Sequence, residues 1–112
     1  MEFDALIIGG GVAGMQCALV LGSAKNKEFA KAKSVGLIVH QKSSHLQNAL
    51  FNNVLGLESK TLGKSILESG KKQISSLYPH IDLIENEKVI SIEEKKEGYI
   101  IVSNKKTYFS KV

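Results

Sequence analysis

The stretch Asp4-Ala5-Leu6-Ile7-Ile8-Gly9-Gly10-Gly11-Val12-Ala13-Gly14 constrains the fold of this chain more than any other. An apolar run passes into three glycines, and Gly9, Gly11 and Gly14 have the spacing GxGxxG. That spacing alone is a weak signal. It gains meaning where it follows a strand and opens a helix, because each glycine then has a physical task. Gly9 permits the tight turn, Gly11 lets the backbone approach a pyrophosphate, and Gly14 lets the helix pack closely on the strand. The N–H groups at the start of the helix face the phosphates with the positive end of its dipole. Gly10, Val12 and Ala13 lie in the same turn and complete the expected phosphate-binding set. A glycine turn in a strand–helix unit that holds no ligand is the structural alternative.

The pattern on either side supports that context. Residues 3–8 form a short apolar run of the kind a buried parallel strand shows. Residues 12–32 suit a helix, with small residues early and Lys25, Lys27, Lys31 and Lys33 late, where they complement the helix dipole; Gly22 and Ser23 are the points at which it would break. Val35-Gly36-Leu37-Ile38-Val39 is the next strand, so the first 39 residues read as a βαβ unit. Residues 40–60 show no period and are expected to be a long loop with one helical turn. Residues 61–78 return to helical spacing, with Leu62, Ile66, Gly70, Ile74 and Leu77 on one face, and Pro79 ends the segment. Residues 81–84 read as a short strand, and the three segments that follow, at 88–94, 99–103 and 107–112, read as an antiparallel meander with turns at Gly98 and Asn104-Lys105.

Composition narrows the functional classes. With 112 residues, 43% of them hydrophobic, one folded domain over 1–112 is expected. No apolar stretch approaches the roughly 20 residues of a membrane span, and the acidic Met1-Glu2-Phe3-Asp4 start is unlike a signal peptide; no membrane association and a cytoplasmic location are expected. The net charge of +4 rests on 15 lysines with no arginine, set among 11 acidic residues. Base and phosphate-fork recognition leans on arginine, so the lysines read as a solvated surface and no nucleic-acid partner is expected. Cys17 stands alone, without a CxxC pair, so any redox chemistry must come from a cofactor. Packing is its expected role. His45 and His80 read as surface histidines, and no side chain is a convincing catalytic acid or base.

On Asp4, Gly9-Gly10-Gly11 and Ala13-Gly14, the sequence resembles the FAD-binding domain of thioredoxin-reductase-like, FAD-dependent pyridine nucleotide-disulphide oxidoreductases. Their amino-terminal pattern is an aspartate, an apolar strand and GGGxAG; Val12 stands where proline is usual. The resemblance continues more loosely through Asn52-Asn53-Val54-Leu55-Gly56-Leu57, the helical segment at 61–77 and the meander. It implies an α/β, Rossmann-like FAD/NAD(P)-binding fold with a parallel sheet and an antiparallel meander. It implies FAD as cofactor, NAD(P)H as a partner, and Asn53 near the flavin; a loop role for Asn53, satisfying its own backbone, is the alternative.

Three departures limit what carries over. Where the family presents an acidic residue to the ribose after the second strand, this chain has His40 and then Gln41, which can hydrogen-bond but supply no carboxylate. The catalytic cysteine pair is absent, so the resemblance does not extend to thioredoxin reductase activity by this chain alone. At Lys111-Val112 the family continues along a closing strand into an alanine-threonine-glycine turn. The expected domain therefore lacks its closing strand, with residues 109–112 heading back to the parallel sheet and their end exposed or paired with a neighbour, self-association included. The leading functional expectation is a flavoprotein oxidoreductase domain in which flavin carries electrons. The alternative is a non-enzymatic FAD or adenine-nucleotide binding module; an NAD(P)-dependent dehydrogenase fragment fits the GGGxAG form and the meander less well.

Overall fold

The computed structural model describes residues 1–40 and 48–112. The elements in chain order are β1 (Glu2–Phe3), β2 (Ala5–Ile8), α1 (Val12–Ser23), β3 (Val35–Val39), β4 (Leu50–Phe51), β5 (Thr61–Leu62), α2 (Gly63–Leu77), β6 (Ile81–Glu85), β7 (Val89–Lys95), β8 (Gly98–Ser103) and β9 (Thr107–Ser110). Strands β2, β3 and β6 form a parallel sheet in that order, with Ile7 opposite Leu37 and Leu37 opposite Leu83. A second sheet has the order β1-β9-β8-β7, in which β9-β8-β7 is the antiparallel meander and β1 pairs parallel to β9.

Strand β3 explains why these layers stack. All five of its residues are buried, and successive side chains of a strand point to opposite faces. Val35, Leu37 and Val39 pack with Met15 and Ala18 of α1, Ile74 of α2 and Ile81. Ile38 packs with Phe3, Leu6, Ile101 and Tyr108 on the meander side. Helices lie on one face of the parallel sheet and the meander on the other, the arrangement expected of a strand read as apolar throughout. At Gly36 a Cβ would fall 2.8 Å from Phe3 and 2.9 Å from Leu6, so this position is small because the meander layer lies directly on it.

Several boundaries differ from the sequence-based expectation, each for a physical reason visible in the side chains. The first strand is two, broken at Asp4. The Asp4 carboxylate accepts hydrogen bonds from the Ser34 N–H (2.8 Å) and Oγ (3.3 Å), and the Asp4 N–H donates to the Ser34 carbonyl (3.0 Å). This cross-link holds the bend at which the chain leaves one sheet for the other. Helix α1 ends at Ser23, and a succession of turns carries the chain from 24 to 32, tied by Lys27 N–H to Ala24 and Ala30 N–H to Lys27. Ser23 Oγ donates to the Val20 carbonyl, a local bond that competes with helix continuation. The late lysines therefore lie beyond the helix, and its last turn holds no basic residue.

β4, within the stretch expected to be a loop, pairs antiparallel with β5, whose Thr61 and Leu62 were expected to open the second helix, Leu50 lying opposite Leu62. In α2 the buried positions are Gly63 and Ile74, with Gly70 against Met15 of α1, whereas Leu62 and Leu77 are 47% and 59% exposed. The helix presents a narrower apolar stripe than its period suggests. Of residues 109–112, Phe109 and Ser110 stay in the meander sheet beside β1, where Lys111 N–H also donates to Phe3, and only Val112 reaches the parallel sheet, its carbonyl accepting the Leu6 N–H (3.0 Å). Val112 thereby lies along the outer edge of β2. Among the described residues no helix is long and apolar enough to cross a membrane.

Candidate functional site: the glycine turn

The turn between β2 and α1 lies at the carboxyl end of the parallel sheet, where ligands of open α/β sheets bind. Each glycine in it is small for a different reason. Gly9 has φ +112°, a conformation L side chains rarely adopt, and its N–H donates to the Ile38 carbonyl (2.9 Å). At Gly10 a Cβ would overlap Val39 at the end of β3, and at Gly14 it would fall on the Gly9 carbonyl oxygen. Those three positions are explained within the protein itself, Gly9 by its backbone conformation and Gly10 and Gly14 by packing. Gly11 is not: its φ of −78° and ψ of −173° suit any residue, and among the described residues a Cβ there would meet nothing within 4 Å.

Gly11 is also the N-cap of α1. Among the described residues no side chain caps this helix, and its first turn holds no acidic residue. The first intrahelical bond is Met15 N–H to the Gly11 carbonyl (3.0 Å), so the N–H groups of Val12, Ala13 and Gly14 precede the helical ladder. The face is exposed at Gly11, Val12 and Ala13. Unpaired donors at a dipole's positive end, beside backbone that no side chain crowds, make a surface that accepts an anion.

The remaining residues expected at the site divide into three cases. His40 follows directly on Val39 at the carboxyl end of β3 and is exposed. Gln41 lies outside the described residues, as does His45, which the sequence offers only as a surface histidine. Asn53 is exposed in the loop between β4 and β5; it is its neighbour Asn52 that staples this loop, with Oδ1 accepting the Lys60 N–H at 2.7 Å. The loop is brought to the start of α1, where Val54, Leu55 and Leu57 face Val12, Met15 and Gln16 across a cleft of about 340 Å³. Cys17, expected to pack, is exposed instead, because α1 buries Met15, Ala18 and Gly22.

One group beside the site escaped sequence reasoning. Glu87 is 5% exposed, its N–H donates to the Val39 carbonyl (3.2 Å), and its carboxylate accepts hydrogen bonds from Ser103 Oγ and Tyr108 Oη, both 2.7 Å. Burial pushes this carboxyl up, but the two hydrogen bonds, with Lys106 and Lys105 nearby, outweigh it and leave the carboxyl below its usual range. Tyr108, desolvated and facing that carboxylate, is pushed up to about 12. This network ties the meander to the end of β3. A lone glutamate in an Asn-Glu-Lys turn carries no sequence signal of burial.

No protein-family model matches the sequence, and no curated protein matches it. Solved structures do. An oxidoreductase from Agrobacterium tumefaciens matches 99% of this chain with a TM-score of 0.79 at 25% identity. Thioredoxin reductase from Streptococcus pyogenes matches 98% with a TM-score of 0.80 at 21% identity. A ferredoxin-flavin thioredoxin reductase from Clostridium acetobutylicum matches 98% with a TM-score of 0.71 at 26% identity. The chain spans 35%, 33% and 35% of those proteins respectively. At such identities the likeness is one of fold. The chain thus has the Rossmann-like α/β fold with appended meander that thioredoxin reductases share over about a third of their length, as the glycine-turn resemblance implies.

Proposed function

We propose that residues 1–112 are an FAD-binding domain of a flavoprotein oxidoreductase, with the pyrophosphate of FAD held at the glycine turn. The observation that carries this reading is Gly11. Its neighbours in the motif are small for internal reasons, whereas the space its missing Cβ leaves is open and faces an uncapped helix start. A bound pyrophosphate supplies both the reason for the small residue and the missing cap.

In this reading Gly9, Gly10, Gly11, Val12, Ala13 and Gly14 border the pyrophosphate, the Val12 and Ala13 N–H groups donating to it. His40 and Gln41 serve the ribose in place of a carboxylate. Asn53 serves the flavin end, since its loop already flanks the start of α1. FAD when bound supplies the electron transfer, with NAD(P)H as its reductant; the chain's own residues bind and orient it. A cytoplasmic setting belongs to the same proposal.

The test is reconstitution with FAD, desalting and an absorption spectrum, followed by anaerobic NAD(P)H. Retained flavin bands are the expected result. Loss of all flavin on desalting, with no ADP binding, overturns the proposal. Bands that NAD(P)H fails to bleach favour the passive binding module over the oxidoreductase.

A further inference from the structure

The glycine turn forms one side of the carboxyl end of the parallel sheet, and the passage from β6 to β7 fixes what stands beside it. The ladder between β3 and β6 ends with Val39 opposite Glu85. The chain then turns through Asn86, whose φ of +60° is a left-handed conformation that asparagine tolerates better than most residues. Immediately after it, the Glu87 N–H donates back to the Val39 carbonyl (3.2 Å) and clamps the last residue of β3. The Val39 side chain occupies the space where a Cβ at Gly10 would fall, and His40 is the next residue along the chain. The peptide group of Glu87 thus bears on the glycine turn through Val39 and on His40 through the chain.

Side chains of the meander hold that peptide group in place. Ser103 Oγ at the end of β8 and Tyr108 Oη on β9 both donate to one carboxylate oxygen of Glu87, Oε2, at 2.7 Å. Beside them Lys88 N–H donates to Asn104 Oδ1 (2.9 Å), and Asn104 N–H donates to the Lys88 carbonyl (2.9 Å). Ser103 Oγ has other partners in its own turn, accepting from the Lys105 and Lys106 N–H groups and donating to the Lys106 carbonyl. It does not need a carboxylate. Burying a charge costs desolvation, and an apolar residue of similar volume often packs with equal or greater stability, so the best-attested use of such a group is to fix one geometry. From this chain of contacts we infer that Glu87 is a positioning residue for the nucleotide: its carboxylate, pinned by Ser103 and Tyr108, holds the end of β3 so that Val39 stays against Gly10 and His40 stands at the ribose. The inference rests on the reading of the glycine turn as a nucleotide site. Glu87 acts through Val39 and not on the nucleotide itself.

The probe is ADP, titrated into the chain by amide shifts, with the melting temperature of each variant recorded. In the wild type, shifts are expected at residues 9–14 and at His40. Glu87→Leu is expected to bind ADP about tenfold more weakly, keeping the shifts at 9–14 at saturation and losing that of His40. Glu87→Gln still offers one oxygen to both hydroxyls and is expected to restore most of the affinity and the His40 shift. Ile81→Ala, at the amino end of β6, lowers the melting temperature away from this contact and is expected to leave ADP affinity unchanged. Should Glu87→Leu fail to fold, Tyr108→Phe, which removes one of the two bonds, is read in the same way. Equal ADP affinity in wild type and Glu87→Leu overturns the inference. So does a loss of shifts spread evenly over 9–14 and His40, or an equal loss of affinity in Ile81→Ala, either of which makes Glu87 a structural tie alone. A wild type that binds no ADP overturns the glycine-turn reading itself, a result distinct from all of these.

Discussion

Gly11 and Gly14 stand three residues apart in one motif and respond oppositely to substitution. A Cβ at Gly14 collides with the Gly9 carbonyl, so Gly14→Ala is expected to cost about 1–3 kcal/mol by overpacking, read as a lowered urea midpoint. At Gly11 a Cβ would meet no atom of the described residues within 4 Å. Aspartate there can cap α1, and Gly11→Asp is expected to leave stability unchanged or raise it by a few tenths of a kcal/mol. The buried Glu87 gives a second residue-scale prediction. Tyr108→Phe leaves the carboxylate one hydrogen bond short and is expected to cost about 1–3 kcal/mol. Because Tyr108 is raised from 10.0 to about 12 in the folded chain, its contribution is intact below pH 10 and lost as pH rises from 10 towards 12. Glu87, being lowered, acts in the other direction: its contribution holds above the ordinary carboxylate range and fades as acid protonates it. Urea denaturation across pH 3–12 should show both limbs in the wild type and a weaker alkaline limb in Tyr108→Phe.

At the scale of elements, β3 joins the two cores, and shortening it should be felt on both sides of the sheet. Leu37→Ala, at a position with no exposure, is expected to cost about 2–5 kcal/mol. The exposed ion pair between Lys71 of α2 and Glu85 of β6, both side chains being more than a third exposed, is expected to contribute under about 1 kcal/mol; Lys71→Ala against wild type measures it. Where the sequence is strongly periodic or apolar, the elements were legible: β3, β6 and the three meander strands fall within a residue or two of their expected bounds. The differences arise where side chains, not pattern, decide. Asp4 breaks the first strand by bonding Ser34, a partner 30 residues away that no local window contains. Gly22 is small because Tyr78 packs on it, and the apolar face of α2 is narrowed by what α1 can cover.

For the molecule as a whole, the glycine turn was readable because GxGxxG states a backbone requirement in residue types. The roles of its three spaced glycines separate in the structure as turn, open approach and close packing. Gly10 packs against Val39, which links the turn to the end of β3. The buried Glu87 was not readable, since its burial depends on three segments meeting. His40 was placed correctly at the end of β3, because strand order and chain direction alone determine that. We propose that Gly11 is small for the sake of a bound nucleotide; titration of FAD into wild type and Gly11→Asp, with melting temperatures recorded for both, separates that role from a structural one. The expected result is FAD binding by the wild type and a loss of at least tenfold in the variant, at an equal or higher melting temperature. Equal FAD affinity in the two folded proteins would contradict it.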